Sequence, residues 1–306
     1  MAGRLRFDNR VVVITGAGSG LGKAYALEFA KRGAKVVVND LGCSLSGEGS
    51  SHGPADSTVA EIKQTGGIAF PNYDSAEFGD KIIKAALDHF GRVDIIINNA
   101  GVLRDNSMVK ITEKDWDTVQ RFHLKTTFSV TKSAWNHMKN QRYGRIINTS
   151  SGAGLYGNFG QVNYSSAKMG IHGFTQSLAK EGEKHNIKIN TIAPIGASRM
   201  TSSIFTKDIL EMLSADKIVP LIICLAHENC SDNGALFETS GGWVTKLRWQ
   251  RGKGTFFSKN FTAEDIEKHW VEINSFEHCD YPRNGNETFQ KVLTLMEEAN
   301  FPKPKI

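Results

Sequence analysis

Short runs of Val and Ile recur through the first two-thirds of the chain, at Val11–Ile14, Lys35–Val38, Val93–Ile97, Arg145–Ile147 and Ile187–Ile189. Several are apolar at consecutive positions, not alternate ones. An alternating strand buries one face, whereas an uninterrupted apolar run buries both, as strands of a parallel sheet do. Longer stretches with helical spacing separate the runs, near 20–33, 56–66, 75–90, 113–141 and 165–185. Parallel neighbours need a crossover of a dozen or more residues, and these stretches are long enough to provide it. The pattern predicts an α/β fold, a Rossmann-type doubly wound parallel sheet with helices on its faces.

After Gly242 the rhythm changes. Trp243, Trp249, Phe256 and Phe257 crowd together with Lys246, Arg248, Arg251, Lys253 and Lys259, and two helical patterns follow near 262–275 and 285–299. The expectation is a core of residues 1–242 with a C-terminal helical extension, residues 243–306, packed on it. There is no internal repeat and no low-complexity segment.

Two constellations carry chemistry. The first expected strand runs directly into Thr15-Gly-Ala-Gly-Ser-Gly-Leu-Gly22. Glycine permits backbone geometry and close approach that a Cβ forbids. A helix starting near Gly20 would aim its unpaired N–H groups and positive dipole end at a pyrophosphate. Strand, glycine turn and helix in that order make Thr15, Gly16, Ser19, Gly20, Leu21 and Gly22 candidates for a dinucleotide site. Asp40 follows the second strand, where a carboxylate accepts hydrogen bonds from ribose hydroxyls and repels a 2′-phosphate. No Arg or Lys stands at Ser19 or Leu41. NAD is therefore expected over NADP. Asp74 either bonds an adenine amino group or caps a helix ahead of Ala76 and Glu77. Asn98, Asn99, Ala100 and Gly101 end the fourth strand, with side chains able to tie strand ends and small residues that leave room for a cofactor.

The second constellation is Tyr164 and Lys168, on one face of a helix, with Ser151 upstream at a strand end. A phenol with pKa near 10 needs a shift of about 3 units to work near neutrality, roughly 4 kcal/mol. A cation at about 4 Å supplies that order of energy at an effective dielectric of 20. Ser151 would orient a substrate oxygen while a proton moves through Tyr164 and a hydride passes to a nicotinamide.

The remaining features narrow little. The chain has 306 residues and a net charge of +5, mild enough to suit a phosphorylated small molecule, and it shows no nucleic-acid recognition module. Four scattered cysteines suggest a reducing compartment. Cys224, His227 and Cys230 have helical spacing but no fourth ligand nearby, so helix packing is expected and no metal. The N-terminus lacks the apolar segment of a signal peptide, no apolar run is long enough to span a bilayer, and the chain ends in Lys305-Ile306 without the Ser-Lys-Leu peroxisomal address.

Together, the glycine turn, Asp40, Asn98-Asn-Ala-Gly101, Ser151 and Tyr164-x-x-x-Lys168 resemble the short-chain dehydrogenase/reductase family over roughly residues 5–242. Within that family, Arg4–Asp8, Asn39–Gly42, Asn72–Ser75, Leu103–Asp105, Tyr156–Gln161, Ser198–Thr201 and Lys246–Trp249 look like its peroxisomal multifunctional branch, nearly end to end. The resemblance implies NAD-dependent oxidation of (3R)-hydroxyacyl-CoA to 3-ketoacyl-CoA in peroxisomal β-oxidation. It also implies a homodimer whose extension helps close the partner's active site, and an enoyl-CoA hydratase fused to the enzyme or working with it. Pro194 would lie beside the nicotinamide amide. The family commonly has an Asn that holds a relay water, and His123 stands at that point, either as part of the relay or as packing. Leu41-Gly-Cys-Ser44 and Pro194-Ile-Gly-Ala197 depart from the branch's pattern. A hydroxysteroid dehydrogenase of the same family, or a non-catalytic NAD-binding scaffold, are the alternatives. The basic cluster from Lys246 to Lys259 suits CoA phosphates or, otherwise, a solvated face.

Overall fold

A computed structural model of the chain describes residues 5–196, 206–257 and 260–299. Ala197, Ser198–Thr201 and Lys259, named above, lie outside them. Two compact units are present, Met1–Lys246 and Leu247–Ile306.

The first unit is built on one sheet. Its strands are β1 (Val11–Thr15), β2 (Lys35–Asn39), β3 (Ile68–Asn72), β4 (Ile95–Asn98), β5 (Gly144–Thr149), β6 (Ile187–Ile195), β7 (Leu236–Ser240) and β8 (Trp243–Leu247). They lie in the order β3-β2-β1-β4-β5-β6-β7-β8. Pairings from β3 through to β7 are parallel. The helices are α1 (Gly20–Lys31), α2 (Gly53–Gln64), α3 (Gly79–Phe90), α4 (Glu113–Gln120), α5 (Thr126–Gln141), α6 (Gly152–Tyr156) and α7 (Val162–Gly182). The expected doubly wound fold is thus observed.

The consecutive apolar positions have a direct reason. Val12, Ile14, Val36, Val38, Ile95 and Ile97 pack on one face with Tyr25, Ala26 and Phe29 of α1. Their neighbours Val11, Val13, Val37 and Ile96 pack on the other face with Ile82, Ile83 and Ala86 of α3 and with Val130, Ala134 and Met138 of α5. Every residue of β1 is buried.

Three strands escape the Val/Ile pattern. β3 contains Pro71 and has Ile68 exposed, which only an edge strand tolerates. β7 (Leu-Phe-Glu-Thr-Ser) and β8 (Trp-Val-Thr-Lys-Leu) mix apolar and polar residues and lack an uninterrupted apolar run. Gly241 (φ 56°) and Gly242 (φ 95°) form the two-residue turn that folds β8 back antiparallel beside β7. The sheet therefore continues through Trp243–Leu247, past the expected boundary at Gly242.

The helical stretch expected at 113–141 is interrupted by one π-helical turn, Arg121–Lys125, between α4 and α5. The helix carrying Cys224 covers only Val219–Ala226. His227 caps it, Cys230 lies beyond it, and Cys224 is exposed, so the three do not share a packed helix face. Among the described residues no group of three His, Cys, Asp or Glu is placed to hold a metal ion, and no helix is long and apolar enough to cross a membrane.

The second unit contains helices Ala263–Lys268, Trp270–Ile273 and Gly285–Glu298. It also has a short antiparallel ladder, Arg251–Gly252 with Cys279–Asp280, clamped by a two-pronged Arg251–Asp280 ion pair at 2.9 and 3.0 Å.

Asp94 is fully buried at the start of β4. It accepts from the Val11 N–H (2.9 Å), from both prongs of Arg92 (2.7 and 2.6 Å) and from Arg10 (3.3 Å). Asp94→Ala leaves the buried Val11 N–H and Arg92 without their acceptor, while Arg10 keeps Glu228 at 2.9 Å. We expect a loss of about 1–3 kcal/mol, read as a lower midpoint in urea unfolding at unchanged slope.

Candidate active site

β1 lies between β2 and β4, and the chain order reverses there, so a crevice opens beyond the carboxyl ends of these strands. The ends of β1 and β4 are laced together across it. Thr15 Oγ1 accepts from the N–H groups of Asn99 and Ala100, both at 3.1 Å, and Asn99 Nδ2 donates to the carbonyls of Thr15 (3.1 Å) and Gly16 (3.2 Å). Asn98 extends the lacing to β5, donating to Asn148 Oδ1 at 2.8 Å.

The glycine turn has no room for side chains. A Cβ on Gly22 would sit 2.1 Å from the Gly16 carbonyl, and one on Gly18 would sit 2.8 Å from Asp40 Oδ2. Asp40 holds the turn by accepting the Gly18 N–H on one oxygen and the Gly42 N–H on the other, each at 2.8 Å. Ser19 stands at the N-cap of α1, and its hydroxyl makes no capping bond to the first-turn N–H groups. These features form a bare cradle for a pyrophosphate, with a carboxylate at the corner where an adenosine ribose would lie.

A cavity of about 580 Å³ runs from this cradle to the chemical end. Its cofactor side is walled by Gly16, Ser19, Gly20, Leu21, Asp40, Asn99, Ala100 and Gly101, and its far side by His123, Ser151, Tyr164, Lys168 and Pro194. Thr15, Gly22 and Asp74 stand behind the wall instead. Thr15 and Gly22 shape the turn, and the wall near Asp74 is made by Ser75 and Ala76. Asp74 does not cap a helix: α3 starts at Gly79 after Phe78, and the Asp74 carboxylate accepts from Asn72 Nδ2 at 2.9 Å.

At the far end, Ser151 caps α6, its Oγ accepting the Ala153 N–H at 3.2 Å. Lys168 is buried, its Nζ donating to the Thr149 carbonyl at 2.8 Å and lying 5.5 Å from the centre of the Tyr164 ring. Here the structure departs from the simple cation–phenol argument. Burial pushes Tyr164 up to about 12, with the Asp105 charge adding to it and the Ser151 hydrogen bond opposing it. Burial pulls Lys168 down to about 7. Removal from water outweighs the attraction between the two groups, because the ammonium's bond is to a backbone carbonyl and not to the phenol.

His123 sits in the π-helical turn, a distortion that often marks functional positions. Its ring is buried, meets Tyr164 edge-on at 5.1 Å, and places Nε2 at 2.7 Å from the Val102 carbonyl. The Val102 N–H also reaches Nε2, at 3.1 Å, so both backbone groups of Val102 meet that nitrogen, and Nδ1 has no hydrogen-bond partner. Burial and the Lys168 charge hold the imidazole well below its ordinary pKa. Gly101 makes room for it, since a Cβ there would lie 2.3 Å from His123 Cε1.

The motif reading did not place Asp105, Asn158 and Gln161 in the site, although all three line the cavity. Asn158 donates to Gln161 (2.9 Å), which donates to Asp105 (2.6 Å). Asp105 lies in the loop after β4, Asn158 and Gln161 lie between α6 and α7, and none carries a periodic signal. All three occur inside stretches that mark the family branch, Leu103–Asp105 and Tyr156–Gln161.

Residues 10–208 match the short-chain dehydrogenase family model, and the chain belongs to that family. It is an oxidoreductase, and NAD is the cofactor that its cradle and its Asp40 corner fit. The chain is 53% identical to a peroxisomal multifunctional enzyme A of Dictyostelium discoideum over 95% of its own length and 66% of that protein's. It is 50% identical to a peroxisomal hydratase-dehydrogenase-epimerase of Neurospora crassa over 98% of its length and 33% of that protein's. The structure of full-length peroxisomal multifunctional enzyme type 2 from Drosophila melanogaster superposes with a TM-score of 0.83 at 39% identity, covering 96% of this chain and 50% of that one. The chain thus spans between a third and two-thirds of these relatives.

Folded Lys168 releases its proton near 7, whereas an unfolded lysine does so near 10.5. Below pH 7 the folded protein must carry a buried charge. As pH rises from 7 to 10.5 the unfolded chain binds the extra proton, so that cost fades. Lys168→Met should therefore stabilise the protein by about 3–5 kcal/mol at pH 6, with the advantage shrinking toward pH 10. Urea unfolding of both forms across this range reads the effect.

Proposed function

We propose that the chain oxidises (3R)-3-hydroxyacyl-CoA to 3-ketoacyl-CoA with NAD, as a step of peroxisomal fatty-acid β-oxidation. The observation that carries this reading is the reach of the likeness. It runs past the family core, over 95–98% of the chain, in relatives named as peroxisomal multifunctional enzymes.

In this reading Ser151 Oγ donates a hydrogen bond to the substrate's 3-oxygen and fixes it against Tyr164. The Tyr164 phenolate takes the hydroxyl proton as the C3–H bond breaks and the carbonyl forms. NAD, held by the glycine turn and Asp40, would supply the hydride acceptor and a positive charge beside the phenol that opposes the burial holding the Tyr164 pKa up. Lys168, still partly protonated near neutrality, adds to that field from its seat on the Thr149 carbonyl. His123 holds the Val102 backbone and the Tyr164 ring in register, and Asp74 steadies the adenine end through Asn72. We assign residues 243–306 to the interface of a homodimer, and a 2-enoyl-CoA hydratase, fused or separate, to the preceding step.

The test is NADH formation, by absorbance, from NAD and a medium-chain 3-hydroxyacyl-CoA of each configuration. Turnover of the (3R) epimer alone is expected, with Tyr164→Phe reducing kcat by about 10²–10⁴-fold and leaving NAD affinity within twofold. Preference for the (3S) epimer, or full activity in Tyr164→Phe, would refute the proposal.

A further inference from the structure

We infer that Arg104 is a positioning residue that latches the loop after β2 across the cofactor cavity and thereby sets how fast the dinucleotide leaves. The loop, residues 40–52, carries Asp40, Leu41, Cys43, Ser44 and Leu45 into the cavity wall. It does not end on its own side of the crevice. The Leu103 N–H, in the loop after β4, donates to the Leu45 carbonyl at 2.9 Å. β1 lies between β2 and β4 in the sheet, so this bond joins the two sides of the switch point. Gly47 rests against Val102 and Phe122, where a Cβ would meet both side chains at 3.3 Å.

Arg104 secures that crossing. Its Nε donates to the Ser46 carbonyl (2.9 Å), one terminal nitrogen donates to Glu48 (3.2 Å) and the other to Asp115 on α4 (3.1 Å). The guanidinium is mostly buried, with 16% of its side chain exposed. Its fixed fork suits three acceptors in different directions, which a lysine ammonium on a flexible stem does not match. The backbone of the same residue reaches the chemical end. Asn163 Nδ2 donates to the Arg104 carbonyl at 2.9 Å, and Asn163 Oδ1 accepts the Tyr164 N–H at 2.8 Å. One residue thus connects the cover on the adenosine side to the start of the helix that bears Tyr164.

If the cover opens for the dinucleotide to leave, breaking Arg104's bonds to Ser46 and Glu48 lies on that path. Removing them lowers the barrier to release without touching the cradle or Asp40. The measurement is stopped-flow fluorescence of NADH chased from the full-length protein by excess NAD. It needs no substrate and does not depend on the acyl-CoA reading. Arg104→Met is expected to raise the dissociation rate about tenfold with association unchanged, and Arg104→Lys is expected to recover little of it. Glu48→Gln changes a largely exposed partner that folding does not need. It should raise the rate about two- to threefold, and the double variant should release NADH no faster than Arg104→Met. If Arg104→Met fails to fold, the Glu48→Gln rate decides alone. An unchanged rate in Glu48→Gln and Arg104→Met, or fully additive effects, overturns the latch.

Discussion

The site depends on a single carboxylate that two neighbouring loops both need. Asp40 accepts the Gly18 N–H on one oxygen and the Gly42 N–H on the other, so the glycine turn and the start of the next loop close on the same group. The turn itself has no slack, because a Cβ on Gly18 or Gly22 would collide with its surroundings. Thr15 and Asn99 then fix the turn to the end of β4. An anion-binding cradle, a negative corner and a crevice at the switch point all follow from those few hydrogen bonds. The preference for a ribose hydroxyl over a phosphate follows from the same charge that shapes the loop.

The chemical end is governed by the opposing cost of burying charge. Tyr164 and Lys168 are both removed from water, which favours the neutral phenol and the neutral amine. The Ser151 hydrogen bond, the Thr149 carbonyl and the edge-on His123 ring hold these groups in position without cancelling that cost. A site of this kind keeps its acid–base pair quiet until positive charge arrives with the cofactor.

Much of this was legible in the sequence because it rests on strong local patterns. β1, β2, β4, β5 and β6 declare themselves by apolar runs that pack on both faces, and the glycine turn, Asp40, Ser151, Tyr164 and Lys168 stand at strand ends and on one helix face. β3, β7 and β8 were not legible, because Pro71 interrupts β3 and the mixed polar and apolar residues of β7 and β8 make no apolar run. For Asp74 the sequence left an adenine contact and a helix cap both open, and only the structure, with α3 starting after Phe78, removes the cap. The cation–phenol estimate assumed a distance and ignored burial, which raises Tyr164 and lowers Lys168, while the Lys168 ammonium donates to the Thr149 carbonyl. The Asn158–Gln161–Asp105 chain and the Arg104 latch are tertiary, joining loops that no periodicity links.

The most direct test of the central role of Asp40 is the pair of dissociation constants for NAD and NADP, measured by calorimetry on the wild type and on Asp40→Ala. A hydrogen bond to a charged group contributes about 1.5–3 kcal/mol, so the wild type should bind NAD roughly 10–150-fold tighter than NADP. Asp40→Ala should weaken NAD and shrink that ratio toward one. Equal affinity for both dinucleotides in the wild type, or an unchanged ratio in the variant, would contradict the account.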